Sequence, residues 1–215
     1  MKLNKVLALA LSGVMAVSML AGCSGKSENG DEDDNTEVVV PASNAVSVMN
    51  DAQDMVKFKS SADLDAALAA AAKKVTLTEI ENLDFTVKEV STGNVYNELK
   101  NNVPVGEMVG GVIFDNSTNA VAGKSITKTA LYYVESEGLT EKAALEQIAN
   151  VMKSKDEYYP ELVWIGSPKA NYEASYTGAV SVVKATASDA GKTASAYYIA
   201  ISVTQSIARE NLNVK

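Results

Sequence analysis

The architecture can be worked out from Thr193-Ala194-Ser195-Ala196-Tyr197-Tyr198-Ile199-Ala200-Ile201-Ser202-Val203-Thr204-Gln205-Ser206. Tyr197, Ile199, Ile201 and Val203 alternate with Ala196, Tyr198, Ala200 and Ser202, a period of two that belongs to a β-strand. One face is bulky and the other small, as expected for a central strand with helices on one or both sides. Upstream, Ser175 to Ala187 is equally rich in valine, tyrosine and threonine. Asp189-Ala190-Gly191-Lys192 links the two as a four-residue hairpin connection. Glu161 to Ile165 reads as a further strand.

Helical signals lie before this region. Glu141 to Lys153 places Leu145, Ile148, Ala149 and Met152 on one stripe, with Thr140 as N-cap. Leu64, Ala67, Leu68, Ala71 and Val75 form a second stripe. Ser61 is its N-cap, Asp63 and Asp65 sit in its first turn, and an alanine run suits close packing on a sheet. Asn44 to Phe58 and Asn94 to Asn101 read as further helices. Thr127, Ala130, Leu131 and Val134 share a face at helical spacing, with a strand as the alternative reading. Asp84 to Val90 and Val109 to Phe114 read as strands, and Asp115 to Asn119 as a turn. The expectation is an α+β domain: N-terminal helices and a C-terminal antiparallel hairpin or meander packed with helices.

The beginning of the chain has a different character. Lys2 and Lys5 precede an apolar run from Val6 to Leu20, which ends in Leu20-Ala21-Gly22-Cys23. This is the anatomy of a secretory signal peptide, and its apolar run is shorter than the roughly 20 residues that span a bilayer. Leu-Ala-Gly-Cys resembles the lipobox of bacterial lipoproteins. That resemblance implies removal of residues 1–22, a diacylglyceryl group on Cys23, and a protein held on the extracytoplasmic face of a membrane. Two acyl chains anchor stably where one holds only marginally. With one cysteine in the chain, no intrachain disulfide is expected.

Residues 24–42 hold six acids and one base, with few large apolar residues before Val38, so residues 23–42 read as an acidic disordered tether. Residues 43–215 then form a single domain of net charge −5, within a chain of −8. An acidic domain without a basic cluster argues against nucleic-acid binding.

The chain has no histidine, which excludes Ser-His-Asp and Cys-His catalysis and the histidine-ligated zinc sites. No metal or cofactor is expected. Gly106 to Gly111 lacks the lysine and hydroxyl of a phosphate-binding P-loop, and no calcium loop surrounds Asp115 to Asn119. A carboxylate-dependent envelope hydrolase is the alternative activity, although no acidic pair stands out from surface charge. Leu139 to Ser206 also resembles the end of a CAP domain: a helix ending at Met152-Lys153-Ser154, then a hairpin holding Gly178-Ala179-Val180 and Tyr197-Tyr198-Ile199. Lys155 and Glu157 stand where that family has proline and histidine, so its metal cleft does not carry over.

The expected function is therefore a non-catalytic binding or structural module, joined to the membrane through Cys23 and meeting an envelope protein or glycan. Tyr158, Tyr159 and Trp164 are the candidate contact residues. They lie between the last long helix and the hairpin, flanked by Pro160, Gly166 and Pro168.

Overall fold

The computed structural model describes residues 37–39, 44–103, 107–109, 112, 114, 121–166 and 169–210. In chain order the elements are β1 (Glu37–Val39), α1 (Ala45–Ala52), β2 (Lys57–Lys59), α2 (Ala62–Ala72), α3 (Leu77–Ile80), β3 (Lys88–Val90) and α4 (Asn94–Asn102). They continue with β4 (Glu107–Met108), β5 (Ser125–Glu135), α5 (Glu141–Lys153), β6 (Leu162–Gly166), β7 (Lys169–Asp189) and β8 (Lys192–Ile207). The fold is α+β, and the described residues belong to one compact unit.

β7 and β8 are the spine. They pair antiparallel from Ala174↔Ile207 to Asp189↔Lys192, and β5 pairs antiparallel on the far side of β8. The Asp189↔Lys192 pair leaves Ala190-Gly191 as a two-residue loop, with φ of 47° and 81°. Positive φ at both positions is the type I′ geometry, whose twist matches that of the strands it joins. Glycine supplies it freely at Gly191, whereas Ala190 holds it against its own Cβ. The sheet is mixed, because β2 runs parallel to β7 and β4 parallel to β5.

Helices cover both faces. On one, α1 and α5 pack Met49, Leu145, Ile148 and Met152 against Tyr132, Val180, Val182, Ile199, Ile201 and Val203. On the other, α2, α3 and α4 pack Leu64, Leu68, Ile80 and Leu99 against Leu131, Val183, Ala185, Tyr198 and Ala200. β8 is thus buried on both faces, and its small residues leave room for the alanine-rich α2. Burial of a side chain such as Ile199 or Ile148 contributes roughly 1.5–3 kcal/mol. The Oγ of Ser61 accepts from Leu64 N at 3.3 Å and Thr140 Oγ1 from Ala143 N at 3.1 Å, so both expected N-caps are present.

Several elements differ from the sequence reading, each for a local reason. The first helix stops at Ala52 rather than reaching Phe58. Gln53, 4% exposed, donates through Nε2 to the carbonyls of Met49 (3.1 Å) and Val56 (2.8 Å) and accepts from Val56 N (2.9 Å). That side chain satisfies the helix end and turns the chain, so Phe58 enters the sheet on β2. Asp84 to Val90 is strand only from Lys88. The Asp84 carboxylate takes Thr86 N, and Gln147 accepts from Val87 N and donates to Phe85 O, which satisfies that backbone outside any ladder.

The Thr127 to Val134 segment is strand β5, not a helix, because its β-branched and aromatic residues pack on both faces of a sheet. The strand expected over Val109 to Phe114 is instead Glu107–Met108, while Val112 and Phe114 are buried in the core outside any strand. Glu37–Val39, within the stretch read as tether, pairs with β7 at Lys184–Thr186. Cys23, the rest of that stretch and the turn at Asp115 to Asn119 lie outside the described residues.

Candidate binding face

The three candidate aromatics do not form one accessible patch. Tyr159 is 6% exposed and donates its hydroxyl to the Val112 carbonyl. Its ring meets Phe114 at 6.1 Å and Tyr176 at 5.3 Å, both edge-on, while Tyr176 donates to Pro160 O at 3.0 Å. Tyr159 is therefore a core residue, and burial pushes its phenol well above the ordinary range. Tyr158 is half-buried against the same core. Trp164, by contrast, is 58% exposed, the largest apolar side chain at the surface among the described residues.

Trp164 owes that exposure to its register. β6 pairs antiparallel with the start of β7: Leu162↔Glu173, Val163↔Tyr172, Trp164↔Asn171, Ile165↔Ala170 and Gly166↔Lys169. Val163 and Tyr172 point into the core, so Leu162 and Trp164 point out. The Trp164 ring lies over Gly166, where a Cβ would stand 3.4 Å from its Cζ3 and Cη2. Two hydrogen bonds place β6 on the edge of β7 opposite β8: Ala174 N donates to Glu161 O, and Ala208 N donates to Glu173 O.

The outward face of β6 continues along β7 into a patterned surface. The odd-numbered β7 residues align with β8 and β5 in three rows: Ser175–Ser206–Ser125, Thr177–Thr204–Thr127 and Ala179–Ser202–Thr129. Eight of these nine positions carry hydroxyls, so this end of the sheet offers hydrogen bonds where the other end offers a core. Ser125 and Ser206 share a hydrogen bond at 2.9 Å, Thr127 and Thr204 at 2.7 Å, and Thr129 donates to Ser202 at 3.0 Å. Ser125, Ser175 and Thr177 are exposed, Ser206, Thr204, Thr127 and Ser202 half-buried, and Thr129 buried. Neighbouring rows lie about 7 Å apart along a strand and neighbouring strands about 4.8 Å apart. Beyond the third row the same face carries Leu131, Tyr198 and Val183, beneath α2, α3 and α4.

Two lysines border the rows. β2 pairs Lys57 with Thr177 and Lys59 with Ala179, while Phe58 turns into the core. Both lysines are exposed, and neither joins the ion pairs found among the described residues, Lys88–Asp84, Lys142–Glu146 and Lys192–Glu81. The face can therefore stack an apolar ring, exchange hydrogen bonds with hydroxyls and hold a negative charge. No group of three or more acids and cysteines able to hold a metal occurs among the described residues.

Only half of the signal for the hydroxyl rows is present in the sequence. Ser125-x-Thr127-x-Thr129, Ser175-x-Thr177 and Ser202-x-Thr204-x-Ser206 each keep a period of two. Alignment of the three into rows depends on register, which the sequence does not display. No protein-family model, curated protein or solved structure matches this chain.

Proposed function

We propose that this chain is a lipid-anchored, extracytoplasmic binding module without catalytic activity, and that it engages envelope material through the outward face of β6 and β7. The observation that carries this reading is the exposure of Leu162 and Trp164, 52% and 58%, at adjacent same-face positions of a sheet-edge hairpin. A large ring held by a paired backbone loses little freedom on binding, which suits it to serve as an anchor for a partner. The anchor half of the proposal rests on Lys2, Lys5, the apolar run and Leu20-Ala21-Gly22-Cys23. No helix among the described residues is long and apolar enough to cross a membrane.

Each half has its own experiment. Cys23→Ala is expected to leave an unprocessed precursor or a released protein, read by fractionation and by mass spectrometry of the N-terminus. Unchanged processing and membrane retention in that variant would overturn the anchor. For the binding half, the purified chain is sedimented with washed bacterial envelope fragments. The Leu162→Ala/Trp164→Ala variant is expected to bind at least about tenfold more weakly, with its melting temperature within a few degrees of the parent. Equal sedimentation of parent and variant, or none of either, would overturn it.

A further inference from the structure

The same face also points to the chemistry of the ligand. We infer that it binds an extended polysaccharide bearing carboxylates, laid along β7 from Trp164 to Lys57 and Lys59, an inference that rests on the binding-module reading above.

Length argues first for a polymer. Trp164 stands opposite Asn171 and Lys57 opposite Thr177, six residue steps along β7 or about 20 Å. A single small ligand cannot reach both, whereas a chain of several sugar rings can. Its path follows Trp164, Leu162, Ser175, Thr177 and the two lysines, all on the outward face.

Chemistry then separates a glycan from a protein. The core of a protein–protein contact is apolar and poor in serine and lysine. Here the apolar part is confined to Leu162 and Trp164, and the rest consists of hydroxyls ending in two lysines. A sugar ring has an apolar face that stacks on indole and a rim of hydroxyls that both donate and accept, as serine and threonine do. The hydroxyl rows are already bonded across β5 and β8, which holds them in place for a ligand to meet without prior ordering.

Charge supplies the carboxylates and a direction. In a chain of net charge −8, Lys57 and Lys59 stand two residues apart on one face of β2 with no ion-pair partner among the described residues. At the opposite end Glu173 is exposed beside Leu162. Acid groups on the ligand therefore fall at the lysine end, and a neutral ring falls on Trp164. Two lysines are too few for nucleic acid, whose affinity grows with the number of phosphates neutralised.

The test uses the full chain with two soluble probes, polygalacturonate and its fully methyl-esterified, uncharged form, in affinity electrophoresis. Polygalacturonate is expected to retard the chain several-fold more than the ester at low salt, and added salt should remove most of that difference. Trp164→Ala should weaken retardation by both polymers about tenfold. Lys57→Gln/Lys59→Gln should lower retardation by polygalacturonate to that of the ester and leave the ester unchanged. All three side chains are exposed, so unchanged melting curves will show that the variants are folded. Retardation by neither polymer overturns the inference, and so does polygalacturonate binding that survives Trp164→Ala, which would be ion exchange at a basic spot. If envelope fragments bind through Leu162 and Trp164 while neither polymer does, only the ligand class falls; if fragments and polymers both fail, the binding module falls with it.

Discussion

Gly178→Val is expected to melt about 10 °C below the parent chain, a loss of about 3 kcal/mol for a domain of this size. Gly178 lies on β7 between Val203 of β8 and Phe58 of β2, on the face that packs against α1 and α5. A Cβ built there would stand 2.8 Å and 2.9 Å from Phe58 Cε1 and Cδ1, and 2.9 Å from Val56 Cγ1. Neither neighbour can withdraw, because Phe58 and Val56 are 2% and 1% exposed. Asn50 also clamps the Phe58 backbone at both ends, donating to its carbonyl at 3.1 Å and accepting from its N–H at 2.8 Å. Alanine already forces a shift there, and valine adds two methyl groups. The gain from replacing a strand glycine is at most about 1 kcal/mol, so the overpacking wins. Thermal unfolding followed by circular dichroism checks the outcome, and a variant melting with the parent would show that β2 yields freely. A displaced β2 also moves Lys57 and Lys59, so a folded Gly178→Ala should bind polygalacturonate more weakly than the parent.

Legibility in the sequence followed the reach of the signal. β8 was legible because Tyr197, Ile199, Ile201 and Val203 alternate with small residues over a long run, and α5 and α2 because a stripe and a capping residue agree. Both signals are local. Ser125 to Glu135 was ambiguous because Thr127, Ala130, Leu131 and Val134 also fit a helical stripe. Burial on both faces of a central strand erases the alternation that would have decided it. The end of α1 was hidden because a glutamine side chain, not a proline or glycine, stops the helix at Gln53.

The candidate face divides in the same way. The exposure of Trp164 is legible from its place in a connection between packed elements, whereas the burial of Tyr159 is not, because the sequence does not show that Val112, Phe114 and Tyr176 converge on it. The hydroxyl rows need the two-residue Ala190-Gly191 turn to register β7 on β8. They also need a β5–β8 pairing that joins residues some 80 positions apart, such as Ser125 and Ser206.

Alkaline unfolding is the other large effect expected, and its cause is the tyrosine content of the core. Tyr132, Tyr159, Tyr176 and Tyr198 are 6%, 6%, 7% and 2% exposed. Burial, with a smaller contribution from the Glu89 charge, pushes the Tyr132 phenol up to about 12. Burial raises Tyr159 and Tyr198 as well, helped by neighbouring Tyr132 and Tyr176 in the first case and by Glu79 and Tyr133 in the second. Tyr176 is raised by burial against the opposing hydrogen bond from Gln205.

A phenol whose folded pKa lies above its unfolded value of about 10 keeps its proton longer in the native state. The stabilisation is fully present below pH 10 and is lost as pH rises toward 12, where the unfolded chain has ionised and the folded one has not. For Tyr132 alone the loss across that window is about 3 kcal/mol. Several such groups together approach the 5–15 kcal/mol by which native domains are stable. The chain should therefore unfold cooperatively between about pH 10 and 12, with the phenolate absorbance of the buried tyrosines rising together with the loss of circular dichroism. Tyr132→Phe should move the midpoint upward, because it removes one ionisable group and the drive to expose it. Complete phenolate titration near pH 10 with folded signals intact would contradict the closed tyrosine core.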